Sequence, residues 1–345
     1  MFIYENKKYI HEIEKFSKTI DLSSFNEKTF LIAGACGLVM SYFIDTLLFD
    51  KTRNVRIICL IYSDSDEHRF QKNDYRLSFI KGDVKDPNTF RGLEDKIDFV
   101  INGASIVDPK GYKERPIDTM LINLYGTKNL LDVCVKNNAT FLLTSSCEIY
   151  GETNVDFIKE DDCGTINPVD VRSCYNESKR ACETLAISYS VEKGIRTLIA
   201  RLSRTFGPTQ SPDDTKALSQ FMKNAIQNED IVLKSKGEQL FSYTHVQDVV
   251  KGLFIILEKG ITKNAYNVCN REILRLKDIA NICASYNKRN VVFDLSDDGL
   301  NSAGYSKIHI SIQDPSKLEA LGFVAHVKID CGILSTIEIL KELYY

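Results

Sequence analysis

The sequence predicts an α/β protein built on a doubly wound parallel sheet, with a smaller α/β lobe beside it. Three observations carry this expectation. From Phe30 onward, short apolar runs rich in β-branched residues alternate with helix-length amphipathic segments. The runs lack the strict alternation of a half-exposed strand, so they suit a sheet covered on both faces. A turn holding Gly34 and Gly37 directly follows the first run and opens a helical pattern.

Taken in order, residues 1–27 read as an N-terminal extension, a mixed charged stretch with amphipathic-helix character. Residues 28–203 read as a dinucleotide-binding domain with strands at 30–34, 55–62, 77–83, 97–104, 140–146 and 196–202. Helical patterns at 120–137 and 176–194 separate the later strands, as right-handed crossovers require. After Phe206 the rhythm loosens through the turn-rich "GPTQSPDDTK". Residues 204–345 read as a substrate-binding lobe, partly interleaved with the first domain and covering the strand ends where ligands bind. No internal repeat or low-complexity tract is visible.

Composition narrows the function. Hydrophobic residues make up 43% and charged residues 26% of 345, which suits a packed globular chain rather than a disordered one. A formal charge of −3 without a long basic run argues against nucleic acid or an anionic membrane as principal partner. No apolar run reaches the ~18 residues of a membrane span, and the N-terminus lacks a signal pattern. Ten scattered cysteines without a Cys-x-x-Cys pair suggest reduced thiols rather than a zinc site or disulfide framework. The expected compartment is the cytoplasm.

The glycine turn, Gly34-x-x-Gly37-x-x-Met40, would let the backbone approach a pyrophosphate whose charge the following helix N-terminus stabilises. Met40 stands where the usual pattern has a third glycine, so helix–strand packing should differ there. Beyond the second strand, Asp64 is placed to hold an adenosine ribose and Asp66 follows; acids before the basic His68 and Arg69 point to NAD, with NADP left open. Asp83 ends the third strand, where it either reaches the adenine or caps the strand.

The second constellation is Tyr175 and Lys179, four apart and therefore on one helix face. An ammonium beside a phenol favours phenolate, so the spacing predicts a lowered tyrosine pKa and a base for a sugar hydroxyl. Ser145 and Ser146 end an upstream strand, where a hydroxyl could share that proton.

The stretches "TSSCEIYGE", "INPVDVRSCYNESKRACETLA", "RLSRTFGP", "YKERPIDTMLINLYGTKNLLD" (with Asn123 at a recurring asparagine), "YTHVQDVVKGL" and "AYNVCN" carry a resemblance. They resemble the nucleotide-sugar epimerase/dehydratase group of extended short-chain dehydrogenases with a Rossmann-type sheet, locally closest to UDP-glucuronate decarboxylases. The resemblance runs from about Phe30 to the C-terminus. It implies a nucleotide-sugar substrate oxidised at C4 by NAD to a 4-keto intermediate, and a homodimer formed by two helices from each copy.

It also implies roles. Tyr175 would be the base, Lys179 would tune it and orient the cofactor ribose, and Ser146 would hold the C4 oxygen. Glu148 stands where a glutamate acid/base is kept, and Tyr112 would face the sugar. Three positions depart from the pattern. Cys147 replaces the serine of decarboxylases and the aspartate of dehydratases; it reads as a packing or substrate-contact residue. Phe241 replaces an arginine that contacts sugar or phosphate, and Arg204 replaces an asparagine that touches the diphosphate. His245, at an often aromatic position, reads as structural or as a substrate-edge residue.

These departures remove an acid for a departing hydroxyl and a bidentate cation. The expected reaction is therefore epimerisation. A decarboxylase or dehydratase with a rearranged site is the alternative, and a non-catalytic dinucleotide sensor is a third.

Overall fold

The computed structural model describes residues 3–62, 69–70, 74–93, 96–295 and 308–344. The first part of the chain runs α1 (Lys7–Ser17), β1 (Thr29–Ala33), α2 (Leu38–Phe49), β2 (Arg56–Ile61), β3 (Leu77–Lys81), β4 (Phe99–Asn102) and α3 (Pro109–Glu114). It continues through α4 (Pro116–Asn137), β5 (Thr140–Ser146), α5 (Ser173–Lys193) and β6 (Thr197–Leu202). The second part holds β7 (Arg204–Phe206), α6 (Ala217–Ile226), β8 (Ile231–Leu233), β9 (Leu240–His245), α7 (Val246–Lys259) and β10 (Asn264–Val268). It ends with β11 (Ile273–Arg275), α8 (Leu276–Ser285), β12 (Val291–Phe293), β13 (Ile310–Ser311), α9 (Ser316–Glu319) and α10 (Ile329–Tyr344).

Seven strands form one sheet in the order β10-β6-β5-β4-β1-β2-β3. Every neighbouring pair is parallel. β1 is buried at all five residues, as the unbroken apolar run requires of a strand covered on both faces. The order reverses between β1 and β4, which opens a crevice at the strand ends there. The chain after Phe206 returns to this sheet as β10, while β7, β9, β11 and β13 make a second sheet beside it.

Helix ends follow local chemistry. Pro116 begins α4, where a missing N–H costs nothing, and α5 stops at Gly194, whose φ of +72° a side chain would resist. α4 and α5 lie against each other, and Asn123 Nδ2 donates to Ser178 Oγ across that contact at 2.8 Å.

The first 27 residues fold onto the body. Nine consecutive residues of α2, Met40 to Leu48, are buried, so the helix is covered on every side. α7 contributes on one side and α1 on another, burying Tyr9, Ile13 and Phe16. The one carboxylate inside α2, Asp45, accepts hydrogen bonds from Tyr4 and Tyr9 and pairs with Arg69 at 2.7 Å. Lys8 ties α1 to α10 through Glu338 at 2.8 Å and Glu342 at 3.1 Å. Among the described residues no helix is long and apolar enough to cross a membrane, and all ten cysteines are free thiols.

Candidate active site

A cleft of about 660 Å³ opens at the ends of the central strands. At one end lies the glycine turn. Gly34 has φ +73°, and a Cβ there would stand 2.5 Å from the carbonyl of Gly103, so glycine is required on both counts. Gly37 donates its N–H to the Gly34 carbonyl at 3.0 Å and caps α2, whose first turn faces the cleft. Met40 fits because its neighbour yields: a Cβ on Gly103 would fall 2.5 Å from Met40 Cγ. The glycine missing from α2 is thus supplied by Gly103, directly after β4. Asp83 lines the same cleft, with Lys85 pairing to it at 3.6 Å and to Asp118 at 3.0 Å. Asp64 and Asp66 lie outside the described residues.

The other end gathers β5 and α5. Ser146 closes β5, and its Oγ accepts from Glu148 N at 3.2 Å and hydrogen-bonds the Tyr175 phenol. Tyr112 of α3 stacks on Tyr175 with centroids 4.8 Å apart, which fixes the ring. Lys179 is buried and donates to the Thr144 carbonyl at 2.9 Å, with its Nζ 5.9 Å from the Tyr175 ring centroid.

This geometry corrects one expectation. Burial pushes the Tyr175 phenol well above its ordinary value; the bond from Ser146 pulls it down and the charge of Glu148 raises it further. Burial also lowers the affinity of Lys179 for its own proton.

Glu148 sits in the turn after β5 with Asn176 Nδ2 donating to its backbone carbonyl at 2.7 Å. Its carboxylate meets Arg172 as an ion pair at 2.9 Å and Arg204 at 3.5 Å. Burial opposes ionisation, yet the two guanidinium groups outweigh it and hold the carboxyl below its usual range. Cys147 is the reverse case: burial pushes its thiol up to about 11, so it stays protonated.

The description "NAD dependent epimerase/dehydratase family" fits a model matching residues 30–269. The chain belongs to that family. It is 30% identical to UDP-glucuronic acid decarboxylase 6 of Arabidopsis thaliana over 305 residues, 88% of this chain and 86% of that protein. UDP-glucuronic acid decarboxylase 3 of the same plant is 33% identical, covering 67% of each chain. The UDP-glucose 4-epimerase of Thermotoga maritima, solved with UDP-glucose, superposes with a TM-score of 0.80 at 19% identity, covering 92% of this chain and 100% of that one. The dTDP-glucose 4,6-dehydratase of Streptomyces venezuelae, solved with NAD, gives 0.77 at 21%, covering 91% and 97%. At such identities the structures share the fold.

As a member of this NAD-dependent family the chain is an enzyme, and its residues fit the cofactor. The Gly34 cradle leaves room for a pyrophosphate against the α2 N-terminus, and Asp83 and Lys179 line the same cleft.

Two expected substrate contacts lie elsewhere. His245 ends β9 outside the cleft, buried edge-on to Phe206 at 5.4 Å and Tyr42 at 6.5 Å, with Nδ1 accepting from Gln247 N. The chain turns into α7 at His245, whose buried ring is pushed down to about 3. Phe241 does not line the cleft either; it lies under Arg204, whose guanidinium rests 3.7 Å from its ring centroid. Sequence reasoning missed Arg172. Its position three residues before Tyr175 was the available signal, but only the fold shows that it meets Glu148, which lies 24 residues earlier in the chain.

Proposed function

We propose that the chain epimerises a nucleotide-activated sugar by reversible oxidation at C4. The observation that carries this reading is the state of the two residues after Ser146. A dehydratase must protonate a departing hydroxyl. Cys147, pushed up to about 11, gives up its proton too reluctantly, and Glu148, paired with two arginines, has none to give. What remains suits oxidation and its reversal. Tyr175 exchanges the proton of the C4 hydroxyl, Ser146 shares that hydrogen bond, and Tyr112 and Thr144 hold the tyrosine ring and the lysine in place. NAD, when bound, supplies the hydride acceptor and a positive charge that opposes the burial penalty on the phenol. Return of hydride to the opposite face of the 4-keto sugar completes the inversion, with no atom lost.

Decarboxylation is the second reading, favoured by the decarboxylases among the relatives. It shares the C4 oxidation and also needs no acid for a departing hydroxyl. Incubation with UDP-, dTDP-, CDP- and GDP-sugars and uronates, followed by mass spectrometry and proton NMR, separates the two. Unchanged mass with a changed sugar pattern supports epimerisation; loss of carbon dioxide establishes the second reading, and loss of water overturns both.

The reading includes a homodimer through α4 and α5, whose Ile117, Met120, Tyr125 and Val191 are exposed apolar side chains. Sedimentation at micromolar concentration checks this, and a monomer would refute it. Ten free thiols suit the reducing cytoplasm, where the reading places the enzyme.

A further inference from the structure

Asp45 is a buried carboxylate outside the reacting groups. It sits within α2, the helix whose first turn faces the cleft, and its side chain is 2% exposed. A charge taken out of water in this way needs donors around it. The N-terminal extension brings two of them: the phenols of Tyr4 and Tyr9 each donate to one of its oxygens. Arg69 brings the cation. Its Nη2 pairs with Asp45 Oδ2 at 2.7 Å, and its Nη1 donates to the Tyr4 phenol at 3.2 Å.

Both sides of this cluster are anchored. Asn6 caps α1 by accepting from the Tyr9 N–H at 2.9 Å, and its Nδ2 donates to Glu342 of α10 at 2.9 Å. The tyrosine is therefore held from the C-terminal helix. On the other side, the Arg69 guanidinium lies over the rings of Tyr4 and Phe70, 5.5 and 5.6 Å from their centroids. Phe70 is buried against Phe79 of β3 at 5.8 Å. The chain leaves β2 at Tyr62, which lines the cleft, and Arg69 comes seven residues further on. Arg69 thus pins the chain that leaves β2 onto α2, and the extension supplies the donors that tighten the pin. In a doubly wound sheet the helix after β1 receives the pyrophosphate and the end of β2 receives the adenosine ribose. Both cofactor-bearing elements therefore converge on Asp45.

We propose that Tyr4 and Tyr9 are positioning residues for the adenosine half of NAD, acting through Asp45 and Arg69 on α2 and on the chain that leaves β2. None of the four lines the cleft, so they work through the elements they hold. A cofactor binds most tightly where those elements are already in place; as the fraction of molecules holding them falls, the apparent Kd rises in proportion. The extension, which lies outside the residues matched by the family model, thereby gains a task in cofactor retention. This inference rests on the family's NAD and is independent of the sugar reaction proposed above.

The test compares wild type with Arg69→Met, Arg69→Lys and a variant carrying both Tyr4→Phe and Tyr9→Phe. Calorimetry reads NAD affinity, ligand-observed NMR titration reads AMP and nicotinamide mononucleotide, and melting temperature is followed on each protein. Phenylalanine keeps the rings and removes both donors, whereas methionine removes the cation. If about one molecule in ten then holds the chain beyond β2, NAD and AMP should bind roughly 10-fold more weakly. Nicotinamide mononucleotide lacks the adenosine half and should bind as it does to wild type. Arg69→Lys keeps a cation for Asp45 and should recover most of the affinity. Where the tyrosine variant fails to fold, Arg69→Met carries the test, since its side chain is partly exposed. Wild-type affinity for NAD and AMP in Arg69→Met would overturn the inference. So would equal weakening of AMP and nicotinamide mononucleotide, which would leave the cluster a part of the fold alone. A wild-type protein that binds neither NAD nor AMP would overturn the cofactor assignment, and this inference with it.

Discussion

Glu12 should make the protein less stable as the pH rises, and Glu12→Gln should remove that dependence. Its side chain on α1 is 15% exposed; the carboxylate accepts from Tyr42 at 3.0 Å and Ser335 at 3.4 Å and lies 4.0 Å from His245 Nε2. Burial pushes Glu12 up from 4.5 to about 7, and the two hydroxyls only partly offset it. His245 offers no rescue, since burial pushes it down to about 3 and leaves it neutral. The folded protein therefore keeps a proton that the unfolded chain releases. The Glu12 contribution to stability falls as pH climbs from about 4.5 to about 7 and stays low above that. Buried His245 contributes with the opposite sign below about 6.5, so the difference between variant and wild type isolates Glu12. Two and a half pH steps at about 1.36 kcal/mol each make a loss of about 3 kcal/mol. Glutamine keeps an oxygen for Tyr42 and carries no charge. Urea denaturation at pH 4.5 and pH 8 should show the variant level with wild type at the lower pH and about 3 kcal/mol more stable at the higher one. A gap between the two proteins that does not change with pH would refute the reasoning.

Other perturbations act on the site. Tyr175→Phe keeps the ring stacked on Tyr112 but removes the phenol, so kcat should fall ~10²–10⁴-fold with NAD affinity unchanged; turnover near the wild-type rate would clear Tyr175 of any proton-transfer role. Gly34→Ala forces a φ of +73° on a side chain, costing about 1–2 kcal/mol, and drives Cβ into the Gly103 backbone. Its NAD affinity should drop more than ~10-fold, which calorimetry would read; an unaltered affinity would place the cofactor elsewhere. Arg172→Met strips Glu148 of its nearer cation, and breaking such a buried pair costs about 3–5 kcal/mol. Because Glu148 is held below its usual range, that stability exists at neutral pH and is lost as pH falls through its folded value. The variant's deficit should therefore be large at pH 7 and shrink toward pH 4 in urea melts.

The sheet was legible because burial on both faces writes itself as unbroken apolar runs; β5 spans residues 140–146 as expected. Ends were less legible. β4 covers only Phe99–Asn102 of the expected 97–104, while α4 starts at Pro116, whose proline was the start signal to read. The amphipathic pattern of residues 1–27 was visible, but not its partner, since nothing local says that α2 requires cover on that side. At the site, Tyr175, Lys179 and Ser146 follow from spacing and strand position. Their protonation does not: spacing put an ammonium beside a phenol, whereas the fold aims Lys179 at the Thr144 carbonyl and buries both groups. A pKa depends on burial and on charges brought from distant segments, and neither has a local signature.

The departures from the family pattern differ in whether a neighbour answers them. Met40 is answered by Gly103, which yields the space its side chain needs. Arg204 is answered by Phe241, which carries its guanidinium. Both exchanges conserve what the position has to supply, close helix–strand packing in one and a cation facing the cleft in the other. Cys147 has no such answer: among the groups around it, Glu148 is ionised and Ser146 and Ser311 are hydroxyls, so no carboxylic acid stands in. The cofactor half and the charge of the substrate half are thus kept while the acid is given up. On the proposed reading, a site altered in that way would retain oxidation at the sugar carbon and lose the means to expel a hydroxyl, so the reaction class would turn on Cys147 and Glu148 rather than on Tyr175.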